Sequence, residues 1–190
     1  MKKISLLSLV TLAPVLAQAH PGHGSSIGFT SGMIHPMTGL DHILAMVAVG
    51  MWAAQLGGRR LWALPAAFLC LMSAGGLIGM AGFHFPMIEA GILASVLVLG
   101  LLIAGAVRLP MWSSLALVGL FAFCHGHAHG SELPAGASGL TYGVGFVLST
   151  ALLHLAGIGL GLAVQKKLPA AAFRFAGATI AIAGLCLCWF

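Results

Sequence analysis

Charge is scarce in this sequence. Asp, Glu, Lys and Arg make up 6% of its 190 residues, where a soluble domain carries about a quarter. Hydrophobic residues reach 60% and mean hydropathy is +1.09, so a surface facing water on all sides is excluded. The formal charge of +5 does not point to nucleic acid, because the eight Lys and Arg come in ones and twos and form no basic stripe. Cysteine is sparse too. Four are present, none in a C-x-x-C pair, which excludes zinc-ribbon and thioredoxin-like sites. Cys70 falls inside an apolar segment and Cys186 and Cys188 near the end of another, where a thiol acts as a small apolar side chain. No G-x-x-x-x-G-K-[ST] phosphate loop and no H-E-x-x-H pair occurs, which removes ATP hydrolysis by this chain and the common zinc-protease site.

What remains is an all-α membrane protein with one domain. Lys2 and Lys3, the apolar run Ile4 to Leu16 and Ala17-Gln18-Ala19 read as a cleavable signal peptide over residues 1–19; an uncleaved first helix is the alternative. Residues 20–190 then form a bundle of six transmembrane helices, expected near 36–56, 61–82, 87–107, 110–127, 138–164 and 172–190. Pro36, Pro86 and Pro110 stand where helices would begin. Gly75/Gly79, Gly139/Gly143 and Gly157/Gly161 are spaced for close helix packing.

With the mature N-terminus outside, Arg59, Arg60, Arg108, Lys166, Lys167 and Arg174 all fall in inner loops, as the positive-inside rule requires. The expected location is a bacterial inner membrane, with both ends of the mature chain in the periplasm. The same threading puts His20, His23, His35, His84, His125, His127, His129, Glu89 and Glu132 at or near the outer face. Asp41 and His42 are expected about 9 Å below it, two turns into the first helix. Only His154 falls near mid-membrane.

Two clusters carry the chemistry. In His35-Pro36-Met37-Thr38-Gly39-Leu40-Asp41-His42, residues seven apart lie on nearly the same face of a helix, so His35 and His42 can point together and Asp41 flanks them. A carboxylate in a membrane helix costs about 2.5–3.5 kcal/mol on insertion scales and is functional by default. Imidazole with carboxylate suits nickel, cobalt, zinc or copper(II). Asp41 could bind the ion itself or orient an imidazole that does; an Asp–His pair that merely joins helices is the bland alternative. In the second cluster, His125 and His129 stand at i and i+4, one helical face. Glu132 can fold back to offer oxygen, the helix C-terminus favours a cation, and His127 points elsewhere as a solvated accessory. His84 and Glu89 could line an entrance, His20 and His23 a loose metal-gathering tail. His154 reads either as a relay or, slightly better, as a hydrogen bond to a neighbouring helix.

At His35-Pro36-x-x-Gly39-x-Asp41-His42 and His125-Gly126-x-Ala128-His129-Gly130-x-Glu132 the chain resembles the HupE/UreJ family of membrane proteins, associated with hydrogenase and urease gene clusters. The likeness extends over essentially the whole chain. It implies a nickel permease, with cobalt the alternative, and implies His35, Asp41, His42, His125, His129 and Glu132 as metal ligands. His127 and Cys124 fall at variable positions of the motif. On this reading the chain is a secondary transporter and not an enzyme. Ni2+, or Co2+ or Zn2+, is its cargo or bound ion, no prosthetic group is needed, and its surroundings are lipid. A homo-oligomer is compatible with this sequence. The alternatives are a membrane-embedded zinc hydrolase and a metal-binding accessory protein that does not transport.

Overall fold

Between its short polar connections the chain has long stretches of Ala, Leu, Met and Gly with nothing to satisfy backbone amides outside the helix, and helix is the backbone's remaining option in lipid. The computed structural model describes residues 25–133 and 136–187, and the described residues are helices and connections with no strand. The helices are α1 (Ser25–Thr38), α2 (Leu40–Leu56), α3 (Arg60–Met80), α4 (Ile88–Ala104), α5 (Met111–Ser131), α6 (Gly139–Lys167) and α7 (Ala170–Leu187). The signal peptide, His20, His23 and Cys188 lie outside the described residues.

The expected helix over 36–56 is two helices. Pro36 does not start a helix but sits inside α1, and α1 and α2 meet at an 81° bend around Gly39. Proline supplies no N–H, and Gly39 adopts an extended conformation at φ −90°, ψ 123°. Asp41 and His42 therefore open α2 in its first turn instead of lying two turns down a continuous span.

By length and composition α3, α6 and α7 can each cross a membrane, and α1 with α2 pass the same test as one bent span. The six expected spans thus reduce to three or four on this criterion. Helix α4 has 17 residues, about 26 Å of rise against about 30 Å of hydrocarbon. Helix α5 ends in three histidines that lower its hydropathy.

Helix α2 runs through the middle of the bundle. Ala45, Met46, Ala48, Val49, Met51, Trp52 and Ala53 are all buried there, whereas only 28–33% of α3, α6 and α7 is buried and Leu77, Leu140 and Phe175 point outward from those helices. A central helix can carry polar side chains away from lipid, and α2 is the one bearing Asp41 and His42.

Glycine makes the packing possible. A methyl at Gly126 or Gly130 would collide with the carbonyls of Met72 or Gly76, and one at Gly75 or Gly79 with those of Phe123 or His127. So α3 and α5 touch backbone to backbone. Gly50 and Gly157 join α2 to α6 in the same way. Gly143 has open space around it, so the expected Gly139/Gly143 pair is not a helix seam.

The basic residues gather at one end. Arg59 and Arg60 lie at the α2–α3 turn, Arg108 between α4 and α5, and Lys166, Lys167 and Arg174 around the α6–α7 turn. Bonds tie these turns together: Trp52 Nε1 donates to Val107 O at 3.2 Å, Gln55 Nε2 to Ile103 O at 3.1 Å and Arg174 Nε to Ala104 O at 2.9 Å. The histidine clusters occupy the opposite end.

Candidate metal centre

Three helix junctions build the site. Close packing of Gly32 and Gly145 brings α1 onto the first turns of α6 and sets His35 beside Tyr142 and Phe146, with ring centroids 6.1 and 6.2 Å away. The bend at Gly39 then turns the chain inward, so that Asp41 and His42 face α5. The seam with α3 fixes α5, whose helix continues to Ser131 and carries the whole second cluster.

The imidazoles form a chain across these elements. His35 Nε2 lies 2.8 Å from His129 Nδ1, and His129 Nε2 faces His42 Nε2 in a further hydrogen bond. On its other side, His42 Nδ1 meets Asp41 Oδ1 at 3.2 Å. A carboxylate only accepts, so the proton of a neutral His42 sits on Nδ1 and Nε2 presents its lone pair toward His129. Asp41 thereby does what an orienting carboxylate does for a metal-binding histidine. The motif's glycine is accounted for by the same bond. A Cβ on Gly39 would stand 2.7 Å from Asp41 Oδ1 and 3.2 Å from His42 Nδ1.

These groups line a cleft of about 320 Å³ with Thr38, Glu89, Ile92 and Glu132. Asp41, Glu89 and Glu132 are the only carboxylate side chains in the chain, and all three line this one cleft. Nitrogens of His35 and His129 and an oxygen of Glu132 lie within 4.8 Å of one another. Ligands about 2.1 Å from an ion stand about 3 to 4.2 Å apart, so a modest side-chain closure would bring this trio to coordinating distance. Glu132 is 60% exposed and has room to move.

His125 lies one layer deeper, fully buried, with its ring centroid 4.8 Å from that of His42. His127 is not a solvated accessory. It is buried on the opposite face of α5, donates from Nε2 to Phe83 O at 2.7 Å and packs beside Phe85 and Phe123. It pins the α3–α4 loop. His84 is exposed and does not line the cleft. Glu89, expected with His84 to line an entrance, does enter the cleft, because α4 begins at Ile88 beside α5. His154 donates from Nδ1 to Met46 O at 2.9 Å, the helix-to-helix bond expected of it.

A helical membrane protein whose carboxylates and histidines meet in one cleft, away from its basic residues, has the make-up of a metal-handling membrane protein. The HupE / UreJ protein family matches over residues 7–187, and the chain belongs to that family, whose members are hydrogenase and urease accessory or transport proteins and not enzymes. It is 42% identical to Protein HupE of Rhizobium leguminosarum bv. viciae over 185 residues, 97% of this chain and 96% of that protein. No solved structure matches it.

Proposed function

We propose that this protein is a secondary permease that takes up a divalent transition-metal ion, Ni2+ with Co2+ as the alternative, through the cleft between α1, α2, α4 and α5. The observation that carries this reading is the convergence of all three carboxylates with His35, His42 and His129 at the end opposite the basic turns. The positive-inside rule puts the basic turns in the cytoplasm and the cleft on the outer side. The bent α1–α2 pair then counts as the first of six spans, with α4 and α5 completing the set.

Arriving as a hydrated cation, the ion is gathered by Glu89 and Glu132 at the rim and exchanges water for imidazole nitrogen inside it. His35, His42, His125, His129 and Glu132 supply nitrogen and oxygen, and Asp41 acts on His42 or binds directly. Imidazole and carboxylate suit first-row divalent ions, and Ni2+ is preferred on the strength of the family. Inward movement of a doubly charged ion gains about 4.6 kcal/mol per 100 mV of membrane potential, equivalent to more than about a thousandfold accumulation. No nucleotide is needed.

The test is uptake of radiolabelled nickel into vesicles holding the purified protein. Influx that follows an inside-negative potential supports the permease. Nickel bound at the cleft without any influx would identify a binding accessory instead.

A further inference from the structure

Deeper than the cleft, the bundle buries polar atoms that have no hydrogen-bond partner among the described residues. His125 Nε2, Ser149 Oγ, Thr150 Oγ1 and His154 Nε2 are among them. Leaving a buried acceptor unpaired costs about 1–3 kcal/mol, and an apolar side chain at any of these positions would avoid that cost.

The two histidines share one arrangement. His125 Nδ1 faces Phe121 O and His154 Nδ1 faces Met46 O, each at 2.9 Å. A carbonyl oxygen cannot donate, so both rings hold their proton on Nδ1, and Nε2 is left as a bare lone pair. An imidazole whose far nitrogen is fixed to a backbone carbonyl is set up as a metal ligand. Both rings flank one phenyl group, Phe68, with centroids 5.8 Å from His125 and 5.0 Å from His154, and Phe68 is fully buried.

These atoms continue a line that starts in the cleft. On α6, Phe146 packs against His129 with centroids 4.9 Å apart, and Thr150 and His154 follow at successive i+4 positions on its face. His154 is then about 12 Å along the helix from Phe146. On α5 the step from His129 to His125 runs in the same direction.

We propose that His154 and Thr150 form an inner station for the transported ion, receiving a divalent first-row metal from His125 past the ring of Phe68. The inference rests on the permease reading above and adds a second site and a barrier between the two. Imidazole nitrogen and hydroxyl oxygen without a carboxylate make this a weaker site than the cleft, as onward movement requires.

The experiment uses full-length protein in vesicles and Ni2+ as probe, with binding and influx measured separately. In His154→Asn the side-chain amide can still donate to Met46 O, while the Nε2 lone pair is gone. Binding from outside should stay at the wild-type level, and influx should fall by about tenfold or more, the loss that disturbing a metal site brings. Wild-type influx in this variant overturns the inner station and leaves the permease standing. Absence of influx in the wild type overturns the permease and the station with it.

Two further variants separate a ligand from a structural strut. His154→Cys should change the rate for Zn2+ relative to Ni2+, because thiolate is a softer donor than imidazole; an unchanged ratio counts against the station. If His154→Asn does not fold, Thr150→Val carries the test. It keeps the shape and removes the hydroxyl, and undiminished influx there overturns the proposal.

Discussion

Asp41 holds His42 by its Nδ1, 3.2 Å from Oδ1, so that the opposite nitrogen of the ring faces His129. Replacing Asp41 by Asn keeps the size but loses the charge that favours Nδ1–H and the orientation it sets. Asp41→Asn is expected to lower nickel uptake by about 10- to 100-fold with membrane insertion intact. Uptake in vesicles or cells, normalised to inserted protein, checks it; wild-type uptake would count against the site.

Gly39 offers a sharper test, because its side of the bond leaves no space. Gly39→Ala should reduce uptake strongly, since the new methyl must displace Asp41 Oδ1 or His42 Nδ1. Gly143→Ala, with nothing within 4 Å of the new atom, should transport normally. Equal behaviour of the two variants would sever the link between the motif glycine and the metal centre.

Glu89 and Glu132 sit at the rim and both are exposed. Their attraction for a cation is screened by salt over about 10 Å at 0.1 M. Glu89→Gln should weaken nickel capture several-fold at low ionic strength, with a smaller effect as salt is raised, whereas Glu132→Gln, which also removes a ligand, should keep part of its loss at high salt. Initial uptake rates across a salt series measure this. A salt-independent loss in Glu89→Gln would mean that this group coordinates the ion without gathering it from solution.

Acidity should slow uptake. An imidazole binds metal through a lone pair that a proton can occupy, so protons compete with the ion for the cleft and influx should decline toward acid. Rates over a pH series at constant membrane potential give the profile. A profile that stays flat down to the most acid pH at which the protein remains folded counts against histidine as the entry ligand.

The α3–α5 seam tests the fold independently of metal. Gly126→Leu places a side chain where the Met72 carbonyl already lies, and overpacking of this kind costs about 1–3 kcal/mol or more. A lowered unfolding temperature of the purified protein in detergent is the expected result.

Much of this was legible in the sequence because it rests on patterns that act over a few residues. Scarce charge set the solvent, loop arginines and lysines set the two ends, and the i, i+4 spacing of His125 and His129 survives in α5. The bend at Gly39 was not legible. Proline is favoured at the start of a helix, and the placement of Pro36 inside α1 depends on the packing of α1 on α6, which the sequence does not display. The same limit explains His127, and why Glu89 lines the cleft while His84 does not. Which side of α5 faces loop, and which faces cleft, depends on where α3 and α4 lie, and spacing along one helix does not carry that information.

The segregation of acids and bases to opposite ends bears on how a delivered ion departs. Around the arginine and lysine turns no carboxylate waits to retain a cation, and their field draws chloride and phosphate instead. On the permease reading, which puts these turns in the cytoplasm, an ion arriving there would be shed into the cytosol or passed to an acceptor that brings its own donor atoms.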